Sequence, residues 1–290
     1  AVRAASKRKA VFTPGCGALD KSVTVALEGA SAHPAPVVTA FQLGTLDDER
    51  SESATAPQIA MIDLRAVGAA TDFATAASFD EAKVYFGVAV AGEFTTPAHE
   101  PRSKTGPYRD ALSSALYQKG SEQRISRYPL NVVTPDVAKT HPFGNSVLVL
   151  STGLKDLGLS ADAPTFAYAA SAENPQKLLE GEQTLWSVFD PTKPLIDTAS
   201  HGKNGLPLFA GAGPIEVDVA ADARSGGTPL DLLLLHHTNV AGQRFEVVSL
   251  TPKAAGNVRL SAVGPDSVGY AESGTVTFAI ENAGSEPAPG

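Results

Sequence analysis

One cysteine, one methionine and one tryptophan occur in 290 residues. The lone Cys16 excludes an internal disulfide, so burial and hydrogen bonding alone must hold the chain. Its setting, "TPGCGALD", carries no cysteine-protease signature. That leaves an inert buried thiol or a partner thiol outside the chain. Charge is sparse, at 19% of residues, and its balance is acidic, with a net charge of -8. Nucleic acid, which needs a basic face, is excluded as a partner on that count. The single basic cluster, Arg3, Lys7, Arg8 and Lys9, reads as a solvated segment. No apolar run approaches the length of a membrane span. Position 1 is alanine and no signal peptide is recognisable, as expected of a cut piece or a mature fragment.

What is present is alternation. "SVTVALEG" sets Val23, Val25 and Leu27 on one face, "PIEVDVA" does so with Ile215, Val217 and Val219, and "GTVTFAIEN" with Val276, Phe278 and Ile280. A period of two is the mark of half-buried strands. Further strands are expected over 59–67, 83–91, 125–133, 146–151, 165–170, 184–190 and 244–250. The 26 glycines and 21 prolines punctuate these runs. Helical signals are two: 109–118, "RDALSSALYQ", reads as a short helix or an irregular stretch, and 152–159, "TGLKDLGL", as a single turn. Without amphipathic helices between strands, a doubly wound sheet is excluded. The expected fold is all-β: a β-sandwich, jelly-roll or immunoglobulin-like, with flanking partial β domains.

Composition shifts divide the chain. Residues 1–46 read as the end of a preceding small β domain, 47–56 as an acidic linker, 57–252 as a sandwich of about nine strands, and 256–290 as a truncated immunoglobulin-like start. The expected core includes Ile62, Leu64, Tyr85, Phe86, Val88, Val147, Val149, Trp186, Phe189, Val217, Leu233, Leu234, Phe245 and Val247.

The stretch "LLLLHHTNVAG" carries the one pattern that suggests chemistry. His236, Thr238, Val240, Ala241 and Gly242 match H-G-T-H-V-A-G, the histidine motif of subtilisin-like proteases, and Asp197 in "PLIDTAS" stands where an orienting aspartate is wanted. A triad also needs its serine. No G-T-S-M-A occurs, and "SGTV" at 273–276 has the wrong order and lies in an alternating run. The flanks "DLLLL" and "QRFEVVSL" read as strands, so His236, His237, Asn239 and Gly242 are expected at a hairpin, with Gly242 available for a positive φ. No catalytic residue is assigned. Metal is not expected either: neighbouring strand residues point to opposite faces, so His236 and His237 do not share one ion. His99, His141 and His201 stand isolated, and no H-x-x-x-H or C-x-x-C supplies further ligands. No cofactor is assigned.

Several stretches resemble, in the same order, the region that comes after the catalytic domain of large secreted bacterial subtilisin-like proteases of actinobacterial type. "LLLLHHTNVAGQRFEVV" is similar to L-L-L-L-H-H-x-N-x-x-G-x-R-x-E-V-V, and "IDLRAVGAATDF" to D-L-R-Y-V-G-x-x-S-D. "KVYFGVAVAGEFTTP", "PFGNSVLVLSTGLKDLGL" and "LWSVFDPTKPLID" resemble the stretches between them. The resemblance spans about residues 1–250, and the segment after it resembles the start of an immunoglobulin-like repeat of bacterial surface proteins. It implies a secreted, non-catalytic accessory region whose first partner is the upstream catalytic domain of the same polypeptide. Protein substrate or the cell surface are the further partners implied. One departure stands out. Where the family has an acidic D-T-D-G-D-G loop, residues 98–112 keep only Glu100 and Asp110, opposed by Arg102, Lys104 and Arg109, so calcium is not expected. The rival expectation is a stand-alone adhesive or carbohydrate-binding sandwich, which calls for exposed aromatics in a row. Aromatics make up 7% of the chain, and its one tryptophan is expected to be buried.

Overall fold

The alternating runs become strands in the computed structural model of the chain, eighteen of them among the described residues. It describes residues 7–13, 18–31, 33–50, 53, 56–94, 112–119, 122–126, 145–173, 182–224, 229–239, 243–251, 258–263 and 277–282. The strands are β1 (Lys7–Val11), β2 (Ser22–Ala30), β3 (Val37–Leu46), β4 (Leu64–Thr71), β5 (Lys83–Phe94), β6 (Leu112–Lys119), β7 (Glu122–Ser126), β8 (Asn145–Gly153) and β9 (Phe166–Glu173). After these come β10 (Glu182–Gln183), β11 (Ser187–Phe189), β12 (Ile196–Asp197), β13 (Leu208–Ala210), β14 (Ile215–Val219), β15 (Asp231–His236), β16 (Phe245–Ser249), β17 (Val258–Val263) and β18 (Thr277–Asn282). Helix among the described residues is confined to single turns, including α1 (Pro57–Ala60) and a 3-10 turn at Lys203–Gly205. The fold is all-β, and none of its antiparallel sheets closes into a barrel.

A long sheet in the order β16-β15-β3-β4-β5-β8 forms the spine, with β13 pairing the start of β3. One of its faces is covered by two smaller sheets. Over the β15–β3 half lies β1-β2-β14-β12, and Val38, Ala40, Leu232 and Leu234 pack there on Val23, Val25, Ile215 and Val217. Over the β4–β5–β8 half lies the sheet of β9 and its neighbours. Val84, Phe86, Val88 and Leu150 pack on Phe166, Tyr168 and Phe189, whose rings meet mostly edge to face at 6.0–6.5 Å. The opposite face of the spine buries Phe41, Tyr85, Ala89, Val147, Leu233 and Leu235 in a core of its own. Burial on both faces explains why Leu232–Leu235 read as an unbroken apolar run.

The main expected strands form, and the core expectation holds for most of its residues. Phe245 and Val247 are half-buried instead, since their strand β16 is the last of its sheet. Trp186 is 37% exposed, a correction with a clear cause. Between the pairs Gln183–Ser171 and Ser187–Tyr168, one side advances four residues while β9 advances three. That extra residue is a bulge, and it exchanges the faces. Thr184 points inward before it and Phe189 after it, so Trp186 is left on the outside. Residues 59–60, the start of the strand expected over 59–67, lie in the α1 turn, which has proline in its first turn, and β4 begins only at Leu64. The stretch 109–118, read as a short helix or an irregular stretch, instead supplies most of β6, paired on β7 and β9. Residues 127–133 and 109–111 lie outside the described residues, as does Cys16.

Residues 37–46 do not stand apart from the strands beyond the acidic stretch, because β3 lies between β15 and β4 in the spine. Several described residues of the acidic stretch are tied to the fold. Asp47 N–H donates to Arg65 C=O, Arg50 pairs with Glu182 at 3.0 Å, and Ser53 Oγ donates to the fully buried Asp63. The single turn expected over 152–159 is present, closed by Leu157 N–H on Gly153 C=O.

Candidate functional site

The two histidines sit where the buried β15 ends, 1% and 2% exposed. The period of two sends their rings apart. His236 keeps the side of Leu232 and Leu234, and its Nε2 lies 3.1 Å from Glu246 Oε2 of the paired strand β16. The same carboxylate oxygen accepts Ala10 N–H at 2.6 Å. His237 turns to the other side, with Nε2 2.9 Å from Thr39 Oγ1. Its main chain is engaged as well: its N–H donates to Val37 C=O, and its C=O accepts Asn145 Nδ2 at 3.1 Å.

Asn239, 3% exposed, uses its amide as a strand would use its backbone. Its Oδ1 accepts Arg8 N–H at 2.8 Å, and its Nδ2 donates to Arg8 C=O at 3.1 Å and Gln243 C=O at 2.7 Å. Thr238 Oγ1 accepts Val37 N–H, and Arg8 Nη1 donates to Gly211 C=O. Gly242, the fourth residue singled out from the sequence, lies outside the described residues. The turn is thus a junction. It fastens β1 through Glu246 and Asn239, β3 through His237 and Thr238, and β8 through Asn145.

Asp197, the aspartate of the apparent protease pattern, does not orient His236. Its Oδ1 accepts Ala199 and Ser200 N–H in its own turn. His201, unassigned from the sequence, lies 3.0 Å from Asp218 Oδ1 and 3.9 Å from Glu216 Oε2, and Lys21 Nζ approaches Asp218 at 3.9 Å. Among the described residues no group of three or more histidine, cysteine or acidic side chains is placed to hold a metal. His99, His141, Glu100 and Asp110 lie outside the described residues.

Among the described residues two surface cavities stand out. One, of 460 Å³, is lined by Lys21, Phe73, Lys193, Asp197, Asp218 and Arg224, among others. The other, of 690 Å³, runs beside β16 between Lys9–Ala10 and Leu46–Arg65. Sequence reasoning found neither, since each is lined by residues from distant parts of the chain. Thr39 and His237 form a hydroxyl–imidazole pair of the kind that activates a nucleophile. Both are buried, and neither lines either of these cavities. No helix among the described residues is long and apolar enough to cross a membrane. No family model matches the chain, and no curated protein or solved structure matches it either.

Proposed function

We propose that this chain is a non-catalytic accessory region of a secreted subtilisin-like serine endopeptidase. Its role is to stabilise the catalytic domain of the same polypeptide or to attach it to protein substrate or the cell surface. The observation that carries this reading is the use made of "HHTN" in the fold. His236 is occupied by Glu246, His237 by Thr39 and Asn239 by Arg8, all in a buried junction. A general base must reach a reacting group, and these do not line either described cavity. The order of the motifs that resemble the family supplies the protease connection.

A serine-directed fluorophosphonate probe tests the reading. The purified chain is expected to stay unlabelled, and a polypeptide extended upstream through a catalytic segment to be labelled at that segment. Labelling of the isolated chain overturns it.

A second reading, a stand-alone adhesive or carbohydrate-binding sandwich, is favoured by the exposure of Trp186 beside Leu185 and Val188. Retention of the wild-type chain, but not of Trp186→Ala, on insoluble polysaccharide selects it over the first.

A further inference from the structure

β16 is a sheet edge, and among the described residues only β15 pairs with it. His236 N–H donates to Arg244 C=O and Leu250 N–H to Leu230 C=O, which sets the phase of the β15–β16 ladder. Arg244, Glu246 and Val248 therefore turn their main-chain groups toward β15, and Phe245, Val247 and Ser249 turn theirs away. Among the described residues no strand pairs with that outer side. Exposed edges are normally guarded by lysine, proline or a bulge. "FEVVS" has none of these; its one guard is the inward-pointing charge of Glu246, which is engaged by Ala10 and His236.

Residues 243–248, most of β16 and the approach to it, line the 690 Å³ groove. Besides β16 it is lined by Lys9 and Ala10 of β1, by Leu46, Glu49 and Arg65, and by Val90, Ala91 and Ser146 of β5 and β8. Arg65 stands 5.7 Å over the Phe245 ring and is held by Glu49 at 2.9 Å, so that wall is fixed. Leu46 is 53% exposed and offers an apolar surface. Lys9 is exposed, with no ion-pair partner among the described residues.

We propose that this groove binds an extended polypeptide segment, which adds to β16 as an antiparallel or parallel strand. The unpaired donors and acceptors recur every second residue, a spacing that another main chain matches in register and a compact ligand does not. The recess selects a single strand over the edge of a whole second sheet, whose neighbours would meet the walls first. Lys9 favours an acidic side chain in the segment, and Leu46 favours an apolar one. This inference is independent of the protease connection, since it rests on the edge and its walls alone.

The experiment uses displayed seven-residue peptides, randomised at every position, selected on the immobilised full chain and on Val247→Pro. The Val247 N–H points away from β15, so proline there removes an outward donor and leaves the internal ladder intact. Enriched peptides are expected to bind Val247→Pro at least about tenfold more weakly. As synthetic peptides they should slow hydrogen exchange at Phe245, Val247 and Ser249, and N-methylation of alternate peptide nitrogens should abolish binding for one phase and not the other. Enrichment that is absent or equal on the variant overturns the proposal. So does tolerance of N-methylation in both phases, which is read on the wild-type chain and does not depend on the variant folding. Concentration-dependent protection of these amides without peptide assigns the edge to a second copy of the chain and equally overturns it.

Discussion

Glu246 puts a carboxylate on the buried side of β16, opposite Leu234. Such a group is tolerated inside a protein only when its hydrogen bonds are made there. Glu246 makes two, to Ala10 N–H and His236 Nε2, and the first ties the β1 backbone to β16. Glu246→Ala leaves both partners buried and unpaired, and is expected to lower the unfolding free energy by about 3 kcal/mol in urea denaturation. Glu246→Gln keeps an acceptor for Ala10 and is expected to cost less than half as much. Wild-type midpoints for both would mean that the junction contributes no stability. Two tyrosines set the alkaline limit. Burial, then the neighbouring Asp72 carboxylate and the hydrogen bond to it, push the Tyr85 phenol far above the ordinary tyrosine range. Burial does the same for Tyr168. An unfolded tyrosine ionises near pH 10, so above that pH the unfolded chain holds fewer protons than the folded one, and stability falls as pH rises. Their contribution is complete below about pH 9 and declines above about pH 10. Melting temperatures followed through that range should fall more steeply for wild type than for Tyr85→Phe/Tyr168→Phe. Parallel curves would reject the linkage.

At the scale of elements, the spine owes its inner face to two glycines. Gly68 of β4 and Gly87 of β5 are paired across the ladder, and the fully buried Phe41 ring lies against them. A methyl group on Gly87 would stand 2.5 Å from two ring carbons of Phe41, and one on Gly68 2.8 Å from its Cβ. Gly87→Ala is therefore expected to cost about 2 kcal/mol through overpacking, although alanine suits a strand better than glycine does. Phe41→Leu in the same chain should recover part of that loss, and additive losses in the double-mutant cycle would show that the two do not meet. Elements of this kind were legible wherever one rule governed the whole run. β2 and β14 alternate, and their expected faces match the observed burial. The rule fails where an insertion changes parity. Thr184 and Trp186 share a side in an unbroken strand, and the bulge before Ser187 separates them. It fails again at β6, where alanine and leucine in "ALSSALYQ" suit a helix locally, while ladders to β7 and β9 enforce a strand.

For the whole molecule, what a local reading misses is pairing between distant strands. The hairpin at His236 and His237 was legible, because both flanks read as strands and the intervening residues as a turn. Its partners were not: Arg8 and Ala10 lie more than 200 residues from Asn239 and Glu246. Nothing near "SKRKAV" announces them. The acidic stretch at 47–56 has the composition of a linker, yet it joins two adjacent strands of one sheet, and its polar side chains are used by Arg65, Glu182 and Asp63. A truncation beginning at residue 57 removes β3 from between β15 and β4, together with Phe41 and Ala40 from two cores. It is expected to lose cooperative unfolding and to expose apolar surface, read as a broad thermal transition with binding of a hydrophobic dye. A truncation ending at residue 252 removes β17 and β18, which among the described residues form a ladder only with each other. That chain should melt in one sharp transition close to the full-length temperature. If instead the piece from 57 onward melts as sharply as the full chain, β3 is dispensable and the first 46 residues form a unit of their own.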